Sequence, residues 1–231
     1  MSLVTYQVAE GTAVVTMNDG KRNALSAEMF AALTAAFDRA EREKVPVVLT
    51  GTPGTFSAGF DLKVMMAGGK PMVDLVRTGF ELGERLLTFP TPIVAACSGH
   101  AVAMGAFLLL SADYRIGVTG DVRVQANEVA IGITMPHFAI EICRQRLTPA
   151  CFNRAVLNSE PFPPDAAVAA GFLDRVVAPA DLAREALAKA AELAKLNPAA
   201  FAATKLRARA VALTAVRAAI EADGAVFAKM I

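Results

Sequence analysis

Four segments of the chain combine small residues, exposable backbone amides and a carboxylate in a way that could do chemistry: GKRNALS (20–26), FSAGFDLK (56–63), SGHAVAMGAFLLLSADYRIG (98–117) and NEVAIGITMP (127–136). In the second, Ser57, Ala58 and Gly59 carry so little side chain that a ligand can approach the backbone and meet main-chain N–H groups. In the third, a helix opening at Met104-Gly105 would turn unpaired N–H groups and the positive end of its dipole toward developing negative charge. In the fourth, Glu128 stands among Val129, Ala130, Ile131 and Ile133, an apolar neighbourhood that would raise a carboxyl pKa toward neutrality and suit it to proton transfer. Taken singly, each also fits a plainer role: the FSAG run an ordinary glycine turn, Glu128 a solvent-facing glutamate.

Other chemistries are excluded by what is missing. There is no GxSxG elbow and no GxGxxG after a strand, and Gly69-Lys70 lacks the upstream Gly and following Ser or Thr of a phosphate loop. His100 and His137 are the only histidines, too few for a three-histidine metal site within one subunit and little material for a histidine triad, and each alone is more often a packing residue than a catalyst. His137, following Pro136, is the one assigned to the candidate pocket. Cys97, Cys143 and Cys151 show neither CxxC spacing nor an even count, so neither a disulfide framework nor a metal is expected. Lys plus Arg (23) against Asp plus Glu (22) leaves a net charge of +1, without the footprint that nucleic-acid binding demands. The N-terminal MSLVTYQVAEG has no secretory signal pattern, so a cytoplasmic chain is expected. The uncharged stretch 93–112 is long enough to cross a membrane, but Ser98-Gly99-His100 is a turn signal that splits it into a short strand and a short buried helix; no membrane partner is expected.

The elements that must hold these segments alternate. Apolar β-type runs (LVTYQVAE, TAVVTM, PVVLT, IVAAC, YRIGV, VRVQA) interleave with helical stretches, the pattern of an α/β chain with crossover helices. Residues 26–42 are the clearest helix: Ser26 is an N-cap candidate, and Met29, Leu33, Ala36, Phe37 and Ala40 recur at helical spacing. Beyond residue 137 the pattern turns to helices rich in Ala, Leu, Lys, Arg and Glu, interrupted by Pro149, Pro161, Pro163, Pro164, Pro179 and Pro198, with DRVV the one strand candidate. The layout expected is one domain over 1–231, with an α/β core over 1–137 and a mainly helical region over 138–231. Met65, Met66, Met72 and Phe80 are read as core or pocket lining.

In their order along the chain, the four segments resemble the crotonase (enoyl-CoA hydratase/isomerase) superfamily, and the likeness runs from the first paired strands through FPPDAAVAAGFLDRVV (162–177). The resemblance implies a ββα spiral core with C-terminal helices, an acyl-CoA substrate with coenzyme A as its carrier, no tightly bound cofactor, and a homotrimer or dimer of trimers. It implies oxyanion donation by the backbone N–H groups of Phe60 and Met104, worth on the order of 3 kcal/mol each to the barrier. Coenzyme contacts are implied for Ala58, Asp61 and Leu62 at the adenine and for Lys21, Arg22, Ala24 and Lys63 near it and the phosphates. Lys205 and Arg207 are further cations that could reach a phosphate, although a solvated surface charge is the commoner fate of such residues. Gly105, Phe107, Gly132 and His137 belong to the implied pocket.

Within the superfamily, Asn127-Glu128, Gly132 and Pro136 are similar to the branch that converts 3-enoyl-CoA to 2-enoyl-CoA with one glutamate. The hydratases hold water between two glutamates, the first of them two residues after Gly105; here that residue is Phe107, which can neither orient nor deprotonate water. Isomerisation with Glu128 as base and then acid is therefore the activity expected. Hydration or another acyl-CoA reaction of the same fold is the rival enzyme, and a non-catalytic acyl-CoA-binding or scaffold protein the rival of another class. The family's further C-terminal helices are expected to be shortened or missing after AVFAKMI.

Overall fold

The computed structural model describes residues 2–230; Met1 and Ile231, at the two ends of the expected domain, lie outside the described residues. Strands β1 (Val4–Ala9) and β2 (Thr12–Met17) form an antiparallel hairpin across Glu10-Gly11, both at positive φ as a tight hairpin turn requires. Strands β3 (Val47–Thr50), β5 (Ile93–Cys97), β7 (Tyr114–Val118) and β9 (Arg175–Val177) then add in parallel, giving a six-stranded sheet of order β1-β2-β3-β5-β7-β9. Each of β3, β5 and β7 is followed within a few residues by a strand of a second, parallel sheet: β4 (Gly54–Ser57), β6 (Gly99–Val102) and β8 (Val124–Gln125). The chain thus winds as a ββα spiral, one strand in each sheet per turn. The segment Ser98-Gly99-His100, read from sequence as a turn, is the corner between sheets, and Gly99 already belongs to β6. A Cβ on Gly99 would sit 1.9 Å from the Gly54 carbonyl carbon, so the two corners touch backbone to backbone.

Helix α1 (Ala27–Glu43) matches the expected amphipathic helix to within a residue. The Ser26 hydroxyl accepts from the Met29 N–H at 3.2 Å, and Met29, Phe30, Leu33, Ala36, Phe37 and Ala40 form the buried stripe. Ser26→Ala is expected to cost about 1 kcal/mol, read as a lower denaturant midpoint at unchanged m.

Helix α2 (Leu62–Ala67) buries no residue, whereas α3 (Gly69–Thr88) is the longest helix among the described residues and was not legible as one. Pro71 lies in its first turn and Gly79 and Gly83 in its interior, each glycine costing about 1 kcal/mol against alanine, which masks the 3.6-residue stripe. Met72 and Phe80 are buried there and Met65 is half-buried, but Met66 is 86 % exposed.

Helix α4 (Met104–Ser111) is buried along its whole length. Helices α5 (His137–Arg144), α6 (Pro149–Val156), α7 (Pro164–Ala170), α8 (Leu182–Leu193), α9 (Pro198–Ala208) and α10 (Ala210–Phe227) complete the chain, with α10 packed on α3 and α5. Pro149, Pro164 and Pro198 open helices, where a missing N–H costs nothing. Among the described residues no helix is long and apolar enough to cross a membrane.

A buried charge cluster ties α9 and α10 to the sheet. Asp113 accepts from the Ile93 N–H (2.8 Å), Lys205 Nζ (2.8 Å) and Arg209 Nη2 (3.0 Å). Arg115 grips Asp174 with two hydrogen bonds of 2.8 and 3.0 Å. The surplus cations answer helix C-termini: Arg209 donates to Leu87 O at the end of α3, Arg146 to Leu110 O and Ala112 O at the end of α4, and Arg115 to Gly171 O after α7. Asp113 and Arg115 thus take structural ion-pair roles. Lys205 is not the surface cation its sequence context suggests: it is 7 % exposed, paired with Asp113, and burial lowers its pKa to about 8. Arg207 stays exposed.

Candidate active site

Loop 18–25 is shaped around Asp19, whose carboxylate accepts from the amides of Lys21 (2.7 Å), Asn23 (2.9 Å) and Ala24 (2.9 Å). Asn23, buried and at φ 52°, donates through Nδ2 to Thr55 O and Phe56 O and so pins this loop to β4. The Ser57 hydroxyl donates to Asn23 O, and the Ala58 N–H to Arg22 O. The outcome is one ledge on which Lys21, Arg22, Ala58, Leu62 and Lys63 are exposed and Ala24 and Asp61 half-buried. Asp61 also caps α2 by accepting from the Lys63 N–H at 2.8 Å.

Leu25 and Phe60 form a parallel bridge in which the Leu25 N–H donates to Gly59 O and the Asp61 N–H to Leu25 O. That register uses the groups flanking Phe60 and leaves its own N–H facing away, with no acceptor among the described residues. Met104 opens α4 after Ala103 at φ 51°; the Ala106 and Phe107 amides return to Ala103 O, while those of Met104 and Gly105 have no acceptor there. Gly59 brings the two donors together. A Cβ there would lie 2.9 Å from Ala103 Cβ and 3.3 Å from Met104 N, and one on Gly105 would lie 2.6 Å from Ser57 O. The unclaimed N–H groups of Phe60, at the edge of a bridge, and of Met104, the first at a helix N-terminus, suit an oxygen on which negative charge develops. The Met104 and Phe107 side chains are both buried in the core.

Glu128 follows β8 and begins a single 3-10 turn over Val129–Ile131 that closes at Gly132, φ 79°. It is 7 % exposed, its Oε2 has no hydrogen-bond partner, and burial drives its pKa up to about 7. The cause of that burial differs from the expected one. Val129, Ala130, Ile131 and Ile133 all lie exposed, so the apolar run in sequence faces outward. The carboxylate instead turns inward, near enough to Cys143 of α5 for its charge to help raise that thiol after burial. The turn is held by Ser159, whose hydroxyl accepts from the Ala130 N–H at 3.1 Å and whose carbonyl accepts from Gln125 Nε2 at 2.7 Å. Ser159 lies 29 residues from Ala130 and carries no local signal of this role.

His137 stands at the start of α5 with its side chain 59 % exposed. Its Nδ1 lies 2.8 Å from Asp223 Oδ1, and Asp223, on α10, also accepts from the His137 and Phe138 amides. The buried Asp223 is therefore a helix cap supplied from 86 residues away, which sequence spacing does not reveal. Two cavities of about 510 and 520 Å³ open beside α8 and α9, and none of the ledge, donor or Glu128 residues lines them. Among the described residues no three His, Cys, Asp or Glu side chains gather as a metal site.

Residues 7–231 match the family model described as enoyl-CoA hydratase/isomerase. A Rhodobacter capsulatus protein named as a probable enoyl-CoA hydratase is 32 % identical over 204 residues, 87 % of this chain and 79 % of the relative. The structure of an enoyl-CoA hydratase/isomerase family protein from Pseudomonas syringae superposes with a TM-score of 0.95 at 49 % identity, over 99 % of this chain and 98 % of that one. A Mycobacterium tuberculosis protein superposes at 47 % identity in two structures, one described as an enoyl-CoA isomerase (TM-score 0.93, over 97 % and 98 % of the two chains) and one as a probable enoyl-CoA hydratase (TM-score 0.95, over 98 % and 96 %).

Proposed function

The chain belongs to the enoyl-CoA hydratase/isomerase family, and from that membership we propose that it moves the double bond of a 3-enoyl-CoA to the 2-position. The observation that carries this reading is a single buried, unpaired carboxylate with a pKa of about 7. Phe107, buried and apolar, occupies the position where the resemblance calls for a second glutamate. Glu128 takes a proton from carbon 2 of the thioester, and the electron pair moves onto the thioester oxygen, where the N–H groups of Phe60 and Met104 receive it. The dienolate then takes the same proton from Glu128 at carbon 4, which leaves the conjugated 2-enoyl thioester and the free carboxylate. The ledge of Lys21, Arg22, Ala24, Ala58, Asp61, Leu62 and Lys63 holds the nucleotide end of coenzyme A. Gly105, Phe107 and Gly132 border the reacting end, with His137 at the head of α5. No metal or redox group takes part in this scheme.

Hydration is the second reading, and Asn127 favours it. Its Oδ1 is buried without a partner beside Glu128, an acceptor able to hold a water. Turnover on two substrates separates the readings: isomerisation appears as a rise in conjugated-thioester absorbance from a 3-enoyl-CoA, hydration as its loss from a 2-enoyl-CoA. The expected outcome is a kcat/KM for the first at least ~100-fold above that for the second, since one carboxylate without a partner supplies half the apparatus for activating water. Equal values on the two substrates would sink the isomerase reading, and coenzyme A binding without either turnover would leave a binding protein. A trimer or dimer of trimers is part of the proposal, read by light scattering.

A further inference from the structure

Helix α3 carries Gly79 and Gly83 one turn apart on its buried face. Neither has a positive φ, so backbone freedom does not account for them, and in a helix interior alanine is the better helix former. Contact does account for them. A Cβ on Gly79 would lie 2.6 Å from Cε1 and 2.9 Å from Cζ of Phe60, and one on Gly83 would lie 2.5 Å from Cζ of Phe138. Each glycine is a slot for an aromatic ring. Phe80, between them on α3, touches both rings, with centroids 6.1 Å from Phe60 and 4.3 Å from Phe138, the second pair nearly parallel at 17°. Phe60 carries one of the unclaimed amides, and Phe138 stands in the first turn of α5, the helix that sets Cys143 near Glu128. The Phe138 N–H is held in turn by Asp223 at 2.8 Å.

We infer that α3 is the ruler between the two halves of the site: Gly79 and Gly83 are positioning residues that fix, through the rings of Phe60 and Phe138, how far the oxyanion donor stands from the helix backing the base. Four residues of helix set that spacing at about 6 Å along the axis. Close-packed interiors transmit a displaced ring to the backbone that bears it, and a shift on the order of 1 Å in a preorganised site costs about 100-fold in rate. The inference rests on the reading of the Phe60 N–H as an oxyanion donor.

Two measurements test it: kcat and KM on a 3-enoyl-CoA, and the infrared carbonyl band of bound butyryl-CoA, a saturated thioester whose red shift reports hydrogen bonds to its oxygen. Gly79→Ala is expected to lose about 100-fold in kcat with KM within a few-fold, and to lose the red shift. Gly83→Ala is expected to lose a similar factor and keep the red shift, because it displaces the base side alone. Adding Phe60→Leu to Gly79→Ala frees the slot and should recover at least about tenfold in kcat, which a general loss of stability would not predict. A folded Gly79→Ala with unchanged rate and band overturns the inference. Should Gly79→Ala not fold, Phe60→Leu alone empties the slot from the other side; a weakened band then supports the inference and an unchanged one overturns it. Wild type that shifts the butyryl band without turning over a 3-enoyl-CoA would remove the isomerase reading and keep the donor, whereas wild type with no shift removes the donor and the inference together.

Discussion

Glu128→Gln is expected to lower kcat on a 3-enoyl-CoA by about 1,000-fold with KM within a few-fold, because it keeps the shape of the side chain and removes the proton acceptor. The wild-type rate should rise with pH through an apparent pKa of about 7, since burial delays ionisation of the one group that must be ionised to start the reaction. The same burial has a thermodynamic cost that the variant escapes. The folded carboxyl keeps its proton up to about pH 7, whereas the unfolded chain releases it near the ordinary glutamate value of 4.5. Between those values the folded wild type binds more protons than the unfolded chain, so stability is fully present below 4.5 and is lost as pH rises through about 7. Glu128→Gln should therefore be more stable than wild type at pH 8, by up to about 3 kcal/mol, with the gap closing at pH 5. Urea unfolding at the two pH values, alongside the rate, checks both halves. A variant within tenfold of wild-type kcat would remove Glu128 from the chemistry, and equal stabilities at pH 8 would mean that the carboxylate is solvated after all.

The second large effect lies far from the chemistry. Asp113→Ala is expected to destabilise the protein by about 3–5 kcal/mol, because it strands the buried Lys205 and the half-buried Arg209 cations and orphans the Ile93 N–H. For a chain of this size that corresponds to a fall of roughly 10 °C in Tm. Lys205→Met should cost much less, within about 1.5 kcal/mol: Asp113 keeps Arg209 and the Ile93 amide, and an apolar chain of similar length fills the place of one surplus cation. Calorimetry on both variants decides it. Equal losses would mean that the cluster acts through packing at Lys205 and not through the charge on Asp113.

What the sequence reveals of this protein depends on whether the cause is local. The stripe and cap of α1, the run YRIGV that becomes β7 and the DRVV strand are legible, because periodicity, capping and β-branching act within a few residues. The ledge residues are grouped in the sequence only through the family resemblance; what sets their loops side by side is a pair of contacts, through Asn23 and Ser57, that span more than thirty residues. Helix α3 is hidden by glycines whose reason is a ring from another segment. Strands β4 and β6, of four residues each, are too short to show a period, whereas β8 lies within the β-type run VRVQA. For Glu128 the expected direction of the pKa shift and the found one agree while the reason differs: its apolar sequence neighbours lie exposed, the carboxylate is buried within reach of Cys143 on α5, and Ser159 supports the turn from 29 residues away. Lys205 shows the same limit from the other side: a cation in a helical, charged context is placed on the surface by its neighbours and inside by Asp113, 92 residues earlier.

The distances along the chain in the Asp113 cluster bear on how the protein is made. Lys205 and Arg209 follow Asp113 by 92 and 96 residues, and Asp223, which caps α5, follows His137 by 86. At a translation rate of about 5–20 residues per second, roughly 5–20 s pass between synthesis of Asp113 and synthesis of its counter-ions. Throughout that interval the nascent sheet holds a carboxylate that water must solvate, and α5 lacks the cap that orders its first turn. A chain cut before α9 would therefore leave Asp113 without both counter-ions and α5 without its cap, although every residue of the ledge, the donor pair and Glu128 had already been made.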